Sequence, residues 1–426
     1  MKKNISIYRL AALFIIVTLV SGCNFNSPKS PKKEGTKVLT FTDSSNGLPA
    51  TGKWRETIDI YDLNGDGHLD ILAPPPRLPS KEADRRPHVW YGNGKGEWSE
   101  GHLSLPPGSR YAYGGICAGD FDADKIPDMA LAMHSLGLKA LKGDGRDGYV
   151  ELSGELPTVK EFTSRALVSA DFNNDGIPDI ASVSELSPRR RGVFSLDGCI
   201  WVCLRSEEGW KCNPVGQEEV KGKGGLIADK IATGDANGDG NMDIGVASLN
   251  HEKSHIVWFG DGKGGFTSFD KGLTSKVHYQ SVAFADLNND GKDDLIASVT
   301  GFGREGIRAI KAFLSEKEGF REMSGGLPEK EVFFSVKACD LDGDGTVEIV
   351  GGTAEGGVKI FSRKEDQWYE VKVSGLPEKG LQRIYDVYCR DLNRDGYKDI
   401  VVNYSLGGSN NDGGIRVFLG VPDKDS

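Results

Sequence analysis

Past its first residues the chain alternates short apolar runs with clusters of Gly, Asp, Asn and Pro. Runs such as Ser281 to Ala285 (SVAFA) and Leu295 to Val299 (LIASV) are rich in β-branched and aromatic residues and too short for helices, so they predict strands. The order of segments also repeats. A first strand leads into an acidic loop, then a second strand, then a third apolar segment such as Ile256 to Phe259 (IVWF). A Gly-rich turn follows, as at Gly260 to Phe266 and Gly92 to Trp98, ending on an aromatic that opens a fourth strand. Four strands per repeat of about fifty residues are the signature of propeller blades.

The acidic loop is a nine-residue pattern, D-x-[D/N]-x-D-x-x-x-[D/E], that starts at residues 62, 120, 171, 235, 286, 340 and 391. Seven copies at near-constant spacing predict seven blades. The chain ends supply a check: the seventh repeat stops after its third strand, Ile415 to Leu419. The N-terminal segment Phe41 to Pro49 (FTDSSNGLP) matches the fourth-strand segment Phe320 to Pro328 (FREMSGGLP). The expected fold is therefore all-β, a seven-bladed β-propeller over residues 38–422. The N-terminal strand completes the last blade and removes an open sheet edge, and residues 423–426 form a tail.

Alternate oxygens in a tight loop suit a hard cation. Calcium takes roughly six to eight oxygens at about 2.3–2.6 Å in flexible geometry. Positions 1, 3, 5 and 9 offer side-chain oxygens and position 7 a backbone carbonyl. The first three sets are Asp62, Asn64, Asp66, His68, Asp70; Asp120, Asp122, Asp124, Ile126, Asp128; and Asp171, Asn173, Asp175, Ile177, Asp179. The next two are Asp235, Asn237, Asp239, Asn241, Asp243 and Asp286, Asn288, Asp290, Lys292, Asp294. The last two are Asp340, Asp342, Asp344, Thr346, Glu348 and Asp391, Asn393, Asp395, Tyr397, Asp399. A glycine at position 6, such as Gly291, supplies the left-handed corner. No position relies on a Cys or His side chain, which argues against zinc or copper. An EF-hand is disfavoured because its position 12 acid is absent (Ala73 in the first loop) and β-type runs follow. The alternative to metal is a set of Asx-rich turns, but concentrated carboxylates without a cation repel. Up to seven structural Ca²⁺ ions are expected. The loop at Asp120 is the weakest because Lys125 replaces Gly, and the loop at Asp340 closes on the longer Glu348.

The first residues read differently. Lys2, Lys3 and Arg9 precede an apolar run, Leu10 to Val20, of eleven residues, too short to span a bilayer as a helix. This predicts an export signal over 1–22. Val20-Ser21-Gly22-Cys23 resembles the lipobox of bacterial lipoproteins, which implies cleavage before Cys23 and its lipidation. Residues 23–37 then form the lipidated Cys and a flexible tether, and the membrane is met through the lipid anchor only. Asn24 favours an outer-membrane or surface location. The net charge of −10 and pI near 5.4 give no reason to expect nucleic-acid binding. Cys203 and Cys212 flank a turn at Glu207-Glu208 that places them opposite each other in a hairpin, as a disulfide or as two buried thiols. Cys117, Cys339 and Cys389 read as small core residues.

The whole repeat region is similar to the FG-GAP/VCBS repeat family, whose propellers include the head of the integrin α chain, and the loops match that family's calcium motif. The resemblance implies the fold; it does not imply a ligand, because function resides in grafted sites. In such a blade the acidic loops share one face with the Gly-rich turns. The second turns and the crossings between blades occupy the other. The long second turns Pro74 to His88, Ser187 to Gly198 (with Arg189-Arg190-Arg191), Asn250 to His255 and Ser405 to Gly414 are candidate binding loops. The crossings offer Trp54, Arg55, Tyr111, Tyr113, Arg165, His278, Tyr279 and Arg383 as a possible ligand face, with Phe333 and Tyr385 also directed toward the central mouth. Aromatic and guanidinium groups around a concavity suit a glycan, acidic ones above all. The chain contains no Gly-x-Ser-x-Gly or phosphate loop. The expectation is a binding or adhesion module for a glycan or protein ligand. The alternatives are a polysaccharide lyase, with His278, Tyr279, Tyr113 and Arg383 as base and charge stabilisers, and a scaffold subunit of an envelope complex.

Overall fold

A computed structural model describes residues 38–77, 85–158, 162–184, 200–216, 228–248, 256–274, 277–300, 308–405 and 412–422. The expected signal, Cys23 and tether lie outside the described residues. So do 78–84, 185–199, 249–255 and 406–411, which hold most of the long second turns and all three of Arg189, Arg190 and Arg191.

The described strands pair into seven sheets, and no helix occurs among the described residues. Six sheets are four-stranded meanders in chain order, blades one to six. Blade one is Asp59–Tyr61, Asp70–Ala73, His88–Gly92 and Trp98–Glu100. Blade seven takes Arg383–Arg390, Asp399–Ser405 and Gly413–Val421 from the C-terminal end and Val38–Asp43 from the N-terminal end. The closing ladder runs antiparallel from Thr40↔Val421 to Asp43↔Phe418. The predicted seven-bladed ring and its closure are both observed. One feature was not anticipated: Lys372–Ser374, at the end of blade six, pairs in parallel with the outer edge of Val38–Asp43. The closing strand is thus flanked on both sides.

Why the second strands read as near-continuous apolar runs is visible in the packing. Asp128–Met133, Asp179–Ser184, Asp243–Ser248 and Glu348–Thr353 are buried at every position. Each is covered on both faces by neighbouring blades, so neither face can be polar, as in sheets covered on both sides. The core is correspondingly divided into seven clusters, each drawn from two adjacent blades. One joins Ile71 and Trp90 of blade one to Val401 and Val417 of blade seven. Another joins Ala130 and Leu138 of blade two to Ile180 and Trp201 of blade three.

The inner strands carry a shared irregularity. In blades three to seven the ladder slips near the strand start, between Ser164 and Ala166, Ala228 and Ile231, Tyr279 and Ser281, Phe333 and Ser335, and Ile384 and Asp386. A bulge leaves its extra residue unpaired and re-aims the side chain. The unpaired residues are Arg165, Asp229 with Lys230, Gln280, Phe334 and Tyr385.

Candidate functional site

The seven acidic loops share one hydrogen-bonded scaffold. The position 1 carboxylate accepts the position 6 N–H at 2.8–3.1 Å in all of them. The position 5 Oδ1 accepts the position 7 N–H. The position 9 side chain is fully buried and accepts the position 2 N–H on one oxygen. Its other oxygen takes a donor from the end of the third strand: Gly92, Gly143, Arg205, Gly260, Ser315 and Gly420 through N–H, and Ser362 through its hydroxyl onto Glu348. Position 9 is thus a clasp between the loop and its own blade. Lys125 takes the position 6 corner at φ 70°, close to Gly67 at 87° and Gly176 at 86°. The loop at Asp120 therefore keeps the common shape without glycine, at a strain of roughly 1 kcal/mol or more.

Oxygens left over by this scaffold show what the loops lack. Asp62 Oδ1 and Asp122 Oδ1 are buried carboxylate oxygens with no hydrogen-bond donor. Carboxylate oxygens of Asp120, Asp122 and Asp128 lie within 4.8 Å of one another, and so do those of Asp340, Asp342 and Asp344. Each oxygen has two lone pairs, so a position 9 carboxylate that accepts N–H bonds still has capacity for a cation. An all-oxygen set with buried, donor-less carboxylate oxygens fits a positive counter-charge, which in a loop that no side-chain cation reaches is a hard divalent ion. Burial pushes Asp70, Asp128, Asp179, Asp243, Asp294 and Asp399 up to about 7, and neighbouring loop carboxylates push the same way. Without a counter-charge these groups hold their negative charge poorly.

The Gly-rich turns do share the acidic face. A Cβ on Gly94 would stand 2.4 Å from the His68 ring, and one on Gly262 2.2 Å from Asn241 Oδ1. At the opposite ends of the inner strands lies a cavity of about 110 Å³, lined by Arg55, Glu56, Thr57, Arg165, Asp229, Lys230, Gln280, Phe334, Arg383 and Tyr385. Its wall is supplied by six of the seven blades, and every unpaired bulge residue of blades three to seven contributes to it.

Charge is arranged in two tiers there. Arg165, 4% exposed, pairs with Glu56 at 2.8 Å and with Asp229 at 3.2 Å. Lys230 pairs with Asp386, which also accepts the Ser335 and Tyr388 hydroxyls at 2.8 Å. Burial alone would raise the Asp386 carboxyl, but Lys230 and Lys337 outweigh it and hold it below the usual carboxylate range. Arg55 and Arg383 are more exposed and sit over aromatic rings, Arg55 4.7 Å from the Tyr385 centroid and Arg383 5.4 Å from that of Phe334. A flat guanidinium over a ring is held without spending its hydrogen-bonding edge, although Arg55 turns its Nε toward Glu56 at 3.7 Å.

Of the residues expected at the mouth, Arg55, Arg165, Arg383 and Tyr385 line this cavity, while Phe333 is buried in the core between blades five and six. Tyr113 stands beside it, stacked on His134 with Arg77 and Arg165 over its ring. Tyr111 packs against the core between blades one and two. Trp54, His278 and Tyr279 do not reach the mouth. Trp54 is 6% exposed, packs edge-on against His88 and Trp90, and donates its indole N–H to Thr51 O at 2.8 Å. His278 and Tyr279 are held in the ladder opposite Thr300 and Val299, and both are buried. The Tyr279 hydroxyl donates to Thr274 O at 2.7 Å. The bulge falls one residue later, so Gln280 reaches the cavity instead. Glu56, Asp229, Lys230, Gln280 and Asp386 were not expected at this site.

Cys203 and Cys212 are paired across the hairpin of blade three and joined by a disulfide, with Glu207 and Glu208 as the turn.

Residues 235–297 and 340–402 match the model of the FG-GAP-like repeat family. The chain carries FG-GAP-like repeats. Both matched stretches run from the start of one acidic loop through the next and into the strand that follows it, so they contain loops four, five, six and seven. Integrin alpha pat-2 of Caenorhabditis elegans is 29% identical to this chain over 216 residues, which covers 46% of this chain and 14% of that protein. The chain therefore spans a small share of that relative's length. Two crystal structures of BBS1N in complex with ARL6DN, one soaked with mercury and one with lead, align with TM-scores of 0.52 and 0.51. Each alignment covers 89% of this chain and 96% of the other at 12% identity, a likeness of fold alone.

Proposed function

We propose that this FG-GAP propeller is an exported, lipid-anchored binding module that takes an acidic glycan or an acidic segment of a protein at its axial cavity. Calcium in the acidic loops holds the opposite face rigid. The observation that carries this reading is the coincidence of bulges and cavity: five blades break their ladder, and each break delivers its extra residue to one place. Sheet irregularity repeated around a common point is a device for building a site. Arg55 and Arg383, propped on aromatic rings at its rim, offer forks that match carboxylate or sulfate oxygens.

The loops support the calcium reading through their donor set. Asp or Asn at positions 1, 3 and 5 and an acid at position 9 would hold the ion, which would supply the positive charge that the buried position 9 carboxylates lack. An ion bound only by the folded loops stabilises the fold by linkage. The lipid anchor at Cys23 and the envelope location rest on the lipobox-like sequence. A lyase would need a base at the cavity; the burial of His278 and Tyr279 removes two of the four residues named for base and charge stabilisation and leaves Tyr113 and Arg383.

A glycan array probed with the protein in calcium, and again in EGTA, tests the proposal. Selective binding of uronate-bearing or sulfated glycans that is lost in Arg383→Ala supports it. Binding unchanged by Arg383→Ala would put the ligand elsewhere. No binding by folded protein, together with a stoichiometric partner from native membranes, would favour the scaffold reading.

A further inference from the structure

One acidic loop differs from the others in what faces it. The third-strand residue just before the position 9 partner is Tyr91, Leu204, Phe259, Leu314, Phe361 and Leu419 in six blades, and Lys142 in blade two. The Lys142 ammonium bonds to Asp122 Oδ2 at position 3 and lies 2.7 Å from Asp124 Oδ2 at position 5. In every loop the position 5 Oδ1 is already taken by the position 7 N–H, and in the five loops with Asn at position 3 the Oδ2 accepts only that residue's neutral amide N–H. In blade two that oxygen has an ammonium on it. The same loop has an Asp at position 3 where five of the others have Asn, so the added positive charge is matched by an added negative one.

We propose that Lys142 is a built-in replacement for the metal ion in blade two, so that the Asp120 loop closes without calcium while the others require it. This rests on the calcium reading of the loops given above. Lysine reaches the loop from a strand clasped to it, since Gly143 N–H is bonded to Asp128 at 2.9 Å. Its ammonium is therefore delivered within the folded blade at no translational cost, whereas a calcium ion must be recruited from solution. A second cation of charge two beside the ammonium would face strong repulsion at contact distance. The result is one blade whose hairpin is pinned at any calcium concentration.

The test is a calcium count by native mass spectrometry on the full chain, after chelation and back-titration with calcium alone. Asp171→Ala serves as the control and is expected to lower the count by one. Asp122→Ala is expected to leave the wild-type count unchanged, at no more than six. Lys142→Met keeps the aliphatic stem and is expected to raise the count by one, the extra ion being lost again in Lys142→Met/Asp122→Ala. Lys142→Gln gives the same readout should the Met variant fold poorly. In EGTA, Lys142→Met is expected to melt below the wild type and to regain stability with calcium. A wild-type count that falls with Asp122→Ala, or a Lys142 variant that gains no ion, overturns the proposal while leaving the calcium reading of the other loops intact. A count unchanged by Asp171→Ala, with no ion bound in any variant, overturns both.

Discussion

Arg165 of blade three and Glu56 of blade one form an ion pair at 2.8 Å across the space in front of blade two. Blade two leaves that space open because its inner strand begins Gly114-Gly115. A Cβ on Gly115 would come within 2.9–3.1 Å of Leu167 and Ala166 in blade three, so glycine allows the close approach. Both charged side chains are at most 5% exposed. Removing Glu56 leaves the buried guanidinium with Asp229 alone, at 3.2 Å. Glu56→Ala is expected to destabilise the fold by about 2 kcal/mol, less than the loss of a buried pair that has no second partner. Urea unfolding followed by tryptophan fluorescence measures this, and a loss below about 1 kcal/mol would show that solvent screens the pair.

Arg383 is the opposite case. It is exposed, it stacks on Phe334, and it lines the axial cavity. Arg383→Ala is expected to shift stability by about 0.5 kcal/mol or less while weakening ligand binding at least tenfold. Melting temperature and array signal on the same preparation separate the two effects.

Ring closure depends on few residues, and Phe41 is central among them. It is 4% exposed in the cluster that joins blades six and seven. Phe41→Ala is expected to cost about 3–4 kcal/mol, with protease sensitivity appearing first at the two chain ends. Cleavage beginning in blade three or four instead would refute the closure as the weak point.

The position 9 carboxyls make a pH prediction whose sign can be worked out. In the folded, metal-free protein the six position 9 aspartates sit near 7, above the ordinary aspartate value of 3.8. The folded state then binds more protons than the unfolded chain between those values, so stability falls as pH rises through that window. In EGTA the melting temperature is expected to be higher at about pH 6 than at about pH 8. Protons and calcium compete for the same carboxyls, so the rise given by a fixed excess of calcium is expected to be smaller at about pH 6. Scanning fluorimetry at the two pH values reads both, and a calcium-induced rise that does not change with pH would contradict the competition.

Blade number and ring closure were legible because a loop repeated seven times and a matching terminal segment survive any local irregularity. The axial cavity was legible in its arginines and in Tyr385. Tyr279 and Gln280 are neighbours in sequence, and aromatic chemistry made Tyr279 the better candidate; a single unpaired residue in the ladder reverses which of them faces inward. Nothing in the residue types marks that slip. Trp54 was misplaced for a related reason, since its polar N–H is satisfied locally by Thr51 and its ring is free to go inside. Lys142 was hidden in another way. It lies outside the acidic motif and stands out only when the third strands are aligned on their hydrogen bonds to position 9.

The strand Val38–Asp43 is held between Gly413–Val421 on one side and Lys372–Ser374 on the other. A pull along it from residue 38 loads both ladders in shear, so their hydrogen bonds must yield together instead of peeling one at a time. Phe41 must leave its cluster in the same event. The joint where the two chain ends meet is therefore weak to substitution yet strong to tension, a mechanical lock in which force applied to the N-terminal end is spread into blades six and seven before the ring can open.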